Sequence, residues 1–257
     1  MNDCATKIEL IEALSNDAYR IRFAVDWKAF DPGQFVMMGI PGNVVFLRRP
    51  FGIARFSNGV AEICCKVVGR GTRALSDAKV GTRIDVLGPC GRGFRFPQKE
   101  EPAILVAGGY GIGPIFGLCE ALLAQGRRCI LYYGARETSH LLYLDELAKI
   151  GANVKCSTED GSHGARGMIA ELLEKDLDNI EKPSLFACGP HGLSKAVAEI
   201  SRRRGVPAQV SMESYMACGI GVCLGCACKD ADGNFVRTCR EGPVFDVREL
   251  QWDSSPL

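Results

Sequence analysis

The sequence is poor in several features on which common functions depend. It has only 3 histidines among 257 residues, and its 31 basic and 30 acidic side chains leave a formal net charge of +1. This balance provides no general attraction for nucleic acid or for an anionic membrane, so we expect neither as a partner. His140, His163 and His191 all fall in predicted turns, where we interpret them as surface groups. No catalytic acid–base residue is therefore predicted.

Long hydrophobic runs are also missing. The most apolar stretch, residues 103–109, is far shorter than the roughly 18–20 residues that span a bilayer. Residues 1–4 lead directly into an alternating run, without the basic and then apolar segments of a secretory signal. Hydrophobic and charged contents of 47% and 24% are ordinary for a globular protein. We therefore expect a cytoplasmic protein with one or two folded domains.

Cysteine, by contrast, is abundant. The chain has 13 cysteines, an odd number, and it is long enough to bury a core without disulfides. A reducing cytosol keeps thiols free, so clustered cysteines favour metal or redox sites over disulfides.

The first hundred residues predict a small antiparallel β-barrel. Five short apolar or alternating runs are separated by glycine and proline, and the one helix predicted there lies near 73–78. The predicted strands cover 8–11, 19–25, 34–38, 61–68 and 83–87. A polar stretch bounded by proline, 96–102, marks the predicted end of this domain, which we assign to residues 1–99.

Residues 100–212 predict a Rossmann-like parallel α/β domain, because strands and helices alternate there strictly. The predicted strands are 103–107, 128–133, 153–157, 184–188 and 206–212, and the predicted helices are 114–125, 141–150, 168–175 and 192–204. Residues 213–257 are rich in cysteine and glycine and are predicted to be mostly loop.

The strongest motif lies in this last segment. Cys218, Cys223, Cys226 and Cys239 have the spacing C-x4-C-x2-C-x12-C. Four thiolates with a C-x4-C-x2-C run and a distant fourth cysteine are typical of a plant-type [2Fe–2S] centre. Structural zinc prefers two C-x2-C pairs, and simple packing does not explain four cysteines at this spacing. We predict an iron–sulfur cluster, with Cys228 as a bystander.

A glycine-rich loop follows the first predicted strand of the α/β domain. Gly109, Gly111, Gly113 and Pro114 stand between that strand and a helix, where backbone amides can approach a pyrophosphate. Proline in the third glycine position departs from the strict dinucleotide fingerprint, so an ordinary structural turn is the alternative. A second turn, Cys188–Pro190, should lie at the same carboxyl edge of the sheet.

The barrel carries two further candidate segments. Arg48–Gly52 offers an arginine that can pair with a phosphate, and Lys66–Thr72 is a glycine-rich turn with a threonine. A solvated arginine pair and an ordinary hairpin are the alternatives, which the spacing by itself favours.

Taken in this order, the motifs resemble those of the ferredoxin-reductase-like flavoproteins, an FAD-binding barrel followed by a pyridine-nucleotide domain. Arg49–Gly52 stands where that family has an Arg-x-x-Ser/Thr flavin motif, and Gly69–Thr72 matches its Gly-x-Gly-Thr pyrophosphate motif. Gly52 departs from the pattern, because a hydroxyl normally meets the flavin there. The C-terminal aromatic residue that covers the flavin in many relatives is not evident.

The ending, Glu213–Cys226, is more specific: it resembles the electron-transfer subunits of NAD-dependent (class 1B) dihydroorotate dehydrogenases over the whole chain. The resemblance implies FAD, NAD(H) as co-substrate, and a [2Fe–2S] centre on the four cysteines. The implied FAD residues are Arg49, Pro50, Phe51, Gly52, Cys64, Cys65, Lys66, Gly71 and Thr72. The implied NAD(H) residues are Gly109, Gly111, Gly113, Pro114, Cys188, Gly189 and Pro190.

The same resemblance implies an oxidoreductase subunit of pyrimidine biosynthesis that passes electrons between NAD(H), FAD, the cluster and the FMN of a catalytic partner. Two copies of each subunit are expected. A related subunit of an NAD(P)H:ferredoxin or sulfide oxidoreductase, a stand-alone reductase and a non-enzymatic iron–sulfur regulator are the alternatives. NAD and NADP are not distinguished, since Arg136 suits a 2′-phosphate and Glu137 a ribose hydroxyl.

Overall fold

A computed structural model describes residues 2–98 and 101–252. The N-terminal part is a closed antiparallel barrel of six strands in the order β1-β2-β5-β4-β3-β6. The strands are β1 (Asn2–Ala13), β2 (Ala18–Ala24), β3 (Phe35–Met38), β4 (Arg49–Ser57), β5 (Val60–Lys66) and β6 (Arg83–Cys90), and helix α1 (Arg70–Ser76) follows β5. The predicted barrel is confirmed.

Strand β4 is the barrel strand that the sequence analysis missed. Its first residues are the Arg49–Gly52 motif, and proline and glycine both lower the strand propensity there. Pairing with β3 on one side and β5 on the other holds this segment extended and closes the barrel. The flavin motif predicted from the sequence is thus part of a barrel strand.

The second part is a seven-stranded sheet in the order β10-β9-β8-β7-β11-β12-β15. Its strands are β7 (Ala103–Gly108), β8 (Cys129–Ala135), β9 (Asn153–Thr158), β10 (Ala165–Arg166), β11 (Ser184–Cys188), β12 (Ala208–Ser211) and β15 (Val244–Asp246). The helices are α2 (Ile112–Ala124), α3 (Leu144–Lys149), α4 (Ile169–Asp176) and α5 (His191–Arg204). The first six strands in this order are parallel. Five of them were predicted, and the short β10 was not.

Both faces of this sheet are buried, because successive side chains of β7 enter different cores. Leu105 packs with α2 and α3 on one face, whereas Ile104 and Val106 pack with α4 and α5 on the other. A strand buried on both sides needs a continuous apolar run, and the sequence AILVA provides it.

Helix α2 lies between the sheet and the barrel. Gly113 and Gly117, four residues apart, face strand β4, and a Cβ on Gly117 would lie 2.6 Å from the Ala54 carbonyl oxygen. The close approach therefore needs glycine. Glu120 on the same helix forms an ion pair with Arg55 of β4.

The C-terminal segment is less loop-like than predicted. Strands β13 (Ala227–Lys229) and β14 (Phe235–Arg237) form a hairpin, and β15 returns to pair antiparallel with β12 at the sheet edge. This pairing ties the cysteine-rich segment to the α/β sheet. The predicted boundary after residue 99 falls on Lys99 and Glu100, which lie outside the described residues.

Candidate cofactor cleft and cysteine cluster

Two adjoining cavities, of about 670 and 750 Å³, lie between the barrel and the carboxyl edge of the parallel sheet. Open α/β sheets bind ligands at that edge. The two cavities share the lining residues Pro50, Phe51, Lys66, Tyr110, Gly111 and Glu213, so they form one cleft with two lobes.

The barrel wall of the cleft comes from the beginning of β4 and the end of β5. Arg49 lines the larger lobe, and its Nη1 donates a hydrogen bond to the Leu47 carbonyl at 2.7 Å. Gly52 and Cys64 line the smaller lobe, and Lys66 lines both. An arginine and a lysine at one wall make this side of the cleft suitable for phosphate.

Cys64 and Cys65 point in opposite directions. Cys64 lines the cleft, and burial raises the pKa of its thiol to about 12, so it is uncharged at neutral pH. Cys65 is fully buried in the barrel core, because adjacent residues of a strand face opposite sides. The expectation that both cysteine side chains meet a cofactor therefore holds geometrically only for Cys64.

Gly71 and Thr72, both in helix α1, also differ in whether they reach the cleft. Thr72 lines the larger lobe, and its Oγ1 accepts hydrogen bonds from the amides of Val68 and Gly69 at 2.9 and 3.1 Å. Gly71 is buried and does not line the cleft, because its Cα faces Val45, 3.4 Å from a Cβ placed there. Only Thr72 of this pair presents a side chain at the cleft.

The opposite wall consists of the two loops that the sequence singled out. The β7–α2 loop and the first turn of α2 contribute Gly109, Gly111, Gly113 and Pro114. The end of β11 and the loop after it contribute Cys188, Gly189 and Pro190. The loops touch, since a Cβ on Gly111 would lie 2.3 Å from the Cys188 carbonyl oxygen.

The space beside these loops fits a nucleotide. A Cβ on Gly109, whose φ is +50°, or on Gly192 would meet no protein atom within 4 Å, although both residues line the larger lobe. Glycine at these positions leaves open backbone that a pyrophosphate can approach.

Tyr110 joins the two walls. Its hydroxyl donates a hydrogen bond to Asp17 of the barrel at 2.7 Å, and the Lys66 ammonium lies 4.2 Å from its ring centroid. Burial and the Asp17 hydrogen bond raise the pKa of Tyr110, so the phenol stays protonated. Sequence reasoning treated this residue only as a member of the glycine loop.

Two of the histidines that the sequence analysis interpreted as surface groups are half-buried and line the cleft. His191 is the first residue of α5, lines the smaller lobe and stacks on Trp252 with centroids 6.1 Å apart. His140 lines the larger lobe, beside Tyr110. His163 is exposed, as expected.

Glu213 is a cleft residue that the sequence analysis left without a role. It follows β12 and lines both lobes. Desolvation of the carboxyl group raises the pKa of Glu213, and the positive charge of Lys66 opposes that effect.

The four predicted cluster cysteines are arranged as two neighbouring pairs, Cys218 with Cys223 and Cys226 with Cys239. The Cys223 amide donates to the Cys218 sulfur at 3.5 Å, and the Cys239 amide donates to the Cys226 sulfur at 3.4 Å. Burial opposes ionisation of Cys218, but the amides of Cys223, Ile220 and Val222 outweigh it and lower its pKa to about 6. No group of three or more potential ligands gathered for a single metal ion occurs in residues 2–98 and 101–252.

The donor set fits a two-iron cluster. Each iron of a [2Fe–2S] centre takes two thiolates, and the chain offers two pairs with amide donors to the sulfurs. Cys228 lies on β13 and accepts a hydrogen bond from Thr238 Oγ1 at 3.8 Å.

The cysteine loop is seated on the barrel. Cys226 and Cys239 are 2% exposed and pack with Phe35, Met37 and Cys90, whereas Cys223 is exposed. A Cβ on Gly219 would lie 2.3 Å from Met37 Cγ, so only glycine permits this contact. One pair of thiols is thus inside the protein and the other is near its surface.

Phe35 and Met216 connect this cluster region to the cleft. Both line the smaller lobe, and both pack in the apolar group that contains Cys226 and Cys239. The cleft and the inner thiol pair therefore share a wall.

Among the described helices, none has the length and apolar character needed to cross a membrane.

Two family models match the chain. The iron-sulfur cluster binding domain of dihydroorotate dehydrogenase B matches residues 213–251, and the oxidoreductase NAD-binding domain matches residues 105–199. These ranges contain the four cysteines and both loops of the sheet wall.

Similar proteins cover nearly the whole chain. The dihydroorotate dehydrogenase B (NAD+) electron transfer subunit of Caldanaerobacter subterraneus is 36% identical over 240 residues, covering 92% of this chain and 94% of that protein. The subunit of the same name from Fusobacterium nucleatum is 32% identical and covers 98% of each chain. The solved structure of an NADH-dependent reduced ferredoxin-NADP oxidoreductase has a TM-score of 0.87 at 28% identity, covering 96% of this chain and 90% of that one.

These similarities confirm the predicted fold class, the oxidoreductase function and the cofactor set of FAD, a [2Fe–2S] cluster and NAD(H). The individual residues assigned to each cofactor stay predictions. The chain belongs to the family of dihydroorotate dehydrogenase B (NAD+) electron transfer subunits.

Proposed function

We propose that this chain carries electrons between NAD(H) and the FMN of a catalytic dihydroorotate dehydrogenase subunit, in a complex with two copies of each. The shared wall between the cleft and the cysteine loop is the observation that carries the proposal. Phe35 and Met216 contact both regions, so the two proposed cofactor sites adjoin within one chain. The relatives of this chain are named electron transfer subunits, and this name supports a catalytic partner.

The barrel wall is the proposed FAD site. Arg49 and Lys66 supply positive charge for the pyrophosphate, and Thr72 shapes the turn beside it. Pro50, Phe51, Gly52 and Cys64 line the adjoining lobe, which has few charged groups and suits a flat ring system. Gly71 and Cys65 are buried next to the cleft residues Thr72 and Cys64, and we assign them a supporting role without cofactor contact.

The sheet wall is the proposed NAD(H) site. Gly109 leaves the backbone open to the larger lobe, whereas Gly111 allows the close contact with the Cys188–Pro190 turn and Gly113 faces strand β4. Pro114 lines the smaller lobe next to Gly52 of the barrel. An FAD held by the barrel wall would supply hydride exchange with NAD(H) and one-electron exchange with the cluster. The chain orients these groups along the cleft, and this exchange needs no acid–base side chain.

The proposed sites follow the three segments predicted from the sequence. These are residues 1–99 for FAD, 100–212 for NAD(H) and 213–257 for the cluster. Residues of the last segment, Ser214–Met216, nevertheless line the smaller lobe. We propose that the segments work as one unit in the cytoplasm.

The proposed docking surface for the partner consists of Tyr215, Ile220, Val222 and Leu224. These apolar side chains are 83%, 40%, 75% and 59% exposed. Their exposure favours contact with a partner over packing on the chain's own barrel. Because the exposed Cys223 lies among them, a subunit docked here would be next to the outer thiol pair.

A related function, as a subunit of a ferredoxin-linked oxidoreductase, is the second candidate. The TM-score of 0.87 with the NADH-dependent ferredoxin-NADP oxidoreductase supports it. Higher identity to the dihydroorotate dehydrogenase subunits, 36%, favours the first candidate.

The test is anaerobic reconstitution followed by co-purification. We expect one flavin and about two irons per chain, and reduction of both by NADH. Mixing with the catalytic subunit of the same organism should give a complex in which NADH or dihydroorotate reduces all centres. A chain without flavin and iron would refute the proposal, and reduction of ferredoxin with no complex would favour the second candidate.

A further inference from the structure

The ends of strands β8 and β9 form one corner of the larger lobe. The Glu159 amide donates to the Ala135 carbonyl at 3.1 Å, and the Asp160 amide donates to the Arg136 carbonyl at 3.2 Å. These hydrogen bonds hold the two strand ends side by side. Arg136 and Glu159 both line the cleft there.

Glu137, which the sequence offered as the ribose ligand, does not line the cleft. Its Oε1 accepts a hydrogen bond from Ser139 Oγ at 2.5 Å and lies 3.7 Å from His140 Nδ1. By contrast, the side chains of Arg136 and Glu159 make no ion pair or hydrogen bond within the described part of the chain. The acidic group available to a ligand at this corner is therefore Glu159, 22 residues further along the chain.

An apolar surface faces the same lobe. Met168 lines it and is 52% exposed, and Ile169 forms the floor, where a Cβ on Gly134 would lie 2.7 Å from Ile169 Cβ. An exposed apolar side chain beside an unpaired carboxylate suits a nucleoside, whose base is flat and whose ribose offers hydroxyl donors.

We propose that Glu159 accepts hydrogen bonds from the adenosine ribose of NAD(H) and repels the 2′-phosphate of NADP(H). This inference rests on the proposed function, because it assumes that pyridine nucleotide binds along the sheet wall. An acidic group at the ribose is how doubly wound α/β domains select NAD. Specificity then comes from a repulsive contact as well as an attractive one.

Arg136 does not provide this discrimination. Its exposed guanidinium lines the same corner and attracts a 2′-phosphate, so it acts in favour of NADP(H) and against the effect of Glu159. The chain segments at this corner carry three carboxylates, Glu137, Glu159 and Asp160. They carry two cationic side chains, Arg136 and Arg166. Asp160 is occupied by Ser162, whose amide and hydroxyl donate to it at 3.0 and 2.7 Å.

Calorimetric titration of the oxidised, cofactor-loaded protein with NAD+ and with NADP+ tests the proposal without turnover. The wild type should bind NAD+ more tightly. In Glu159→Gln the ratio of the two dissociation constants should fall by about tenfold, since a charge-assisted hydrogen bond and a repulsion are both removed. Glu137→Gln, a nearby carboxylate outside the cleft, should leave the ratio unchanged.

Three results would overturn it. An unchanged ratio in Glu159→Gln, with NAD+ still bound, refutes the role of Glu159 and leaves the proposed function intact. A wild type that prefers NADP+ and loses that preference in Arg136→Gln assigns the corner to a 2′-phosphate. Failure of the wild type to bind either coenzyme refutes the nucleotide site itself, and the proposed function with it.

Discussion

Gly52 of strand β4 and Pro114 of helix α2 meet so closely that a Cβ on residue 52 would lie 2.7 Å from Pro114 Cγ. The contact joins the barrel wall of the cleft to its sheet wall. The family resemblance led us to expect a hydroxyl residue at position 52, but in this chain the proline ring occupies the space that a side chain would need.

We therefore expect Gly52→Ser to destabilise the protein rather than restore a flavin contact. Forcing an atom into this contact should cost about 1–3 kcal/mol of unfolding free energy. Urea unfolding of the wild type, Gly52→Ser, Pro114→Ala and the double variant measures it. If the proline ring is the cause, Pro114→Ala will relieve most of the cost of Gly52→Ser, whereas additive effects would contradict it.

Replacing the cluster cysteines should separate iron binding from folding. Cys223→Ser changes an exposed thiol, so we expect loss of the cluster with little change in the unfolding of the apoprotein. Cys239→Ser changes a residue that is 2% exposed among Phe35 and Met37, so it should also destabilise the apoprotein. Iron content, visible absorption and thermal unfolding report these effects. Cys228→Ser is the control and should retain iron. Loss of iron from this variant would show that the ligand set is wrong.

Arg20 should be the most sensitive charged residue between barrel and sheet. Its side chain is 8% exposed and pairs with Glu12 and Glu62 of the barrel and with Glu146 of α3. Arg20→Ala should cost about 3 kcal/mol, because Glu62 is left buried with only part of its partners. Glu12, at 50% exposure, is the matched control, and Glu12→Gln should cost less than about 1 kcal/mol. Equal losses in urea unfolding would refute the argument.

The ion pair between Asp176 and Lys155 predicts a pH-dependent term in stability. The Lys155 hydrogen bond at 2.6 Å lowers the pKa of Asp176, and the Tyr132 hydroxyl at 2.9 Å adds to the effect. A carboxyl group whose pKa is lower in the folded state stabilises above its unfolded value of about 3.9 and loses that contribution as the pH falls.

The difference in unfolding free energy between wild type and Asp176→Asn should therefore be largest near pH 6–7 and shrink below about pH 4. Urea titrations at pH 7, 5 and 3.5 measure it. In a Lys155→Met background the difference and its pH dependence should both be smaller. A difference that is constant across this range would mean that the carboxylate charge contributes nothing.

The docking surface predicts a loss of partner binding without loss of the cluster. Val222→Asp places a charge on an apolar side chain that is 75% exposed, and we expect binding of the catalytic subunit to weaken at least about tenfold. Val80→Asp, on a barrel loop and 63% exposed, is the matched control and should bind normally. Biosensor affinities and iron content together check it. Normal binding by Val222→Asp would place the partner elsewhere.

Local patterns in the sequence determined the barrel and the alternating α/β order, and they predicted the four cluster cysteines. The spacing between cysteines can be read directly from the chain, and the intervals from Cys218 to Cys226 are those of plant-type [2Fe–2S] ligands. Likewise, the apolar run of β7 specifies a strand buried on both faces whatever surrounds it.

Only the tertiary structure decided what depends on neighbours distant in the chain. Strand β4 forms because β3 and β5 pair with it despite Pro50 and Gly52, and β15 leaves the predicted loop to join β12. Glu159 replaces Glu137 at the cleft because adjacent parallel strands bring their ends together. Chain order determines which elements form, whereas packing determines which side chains share a cavity.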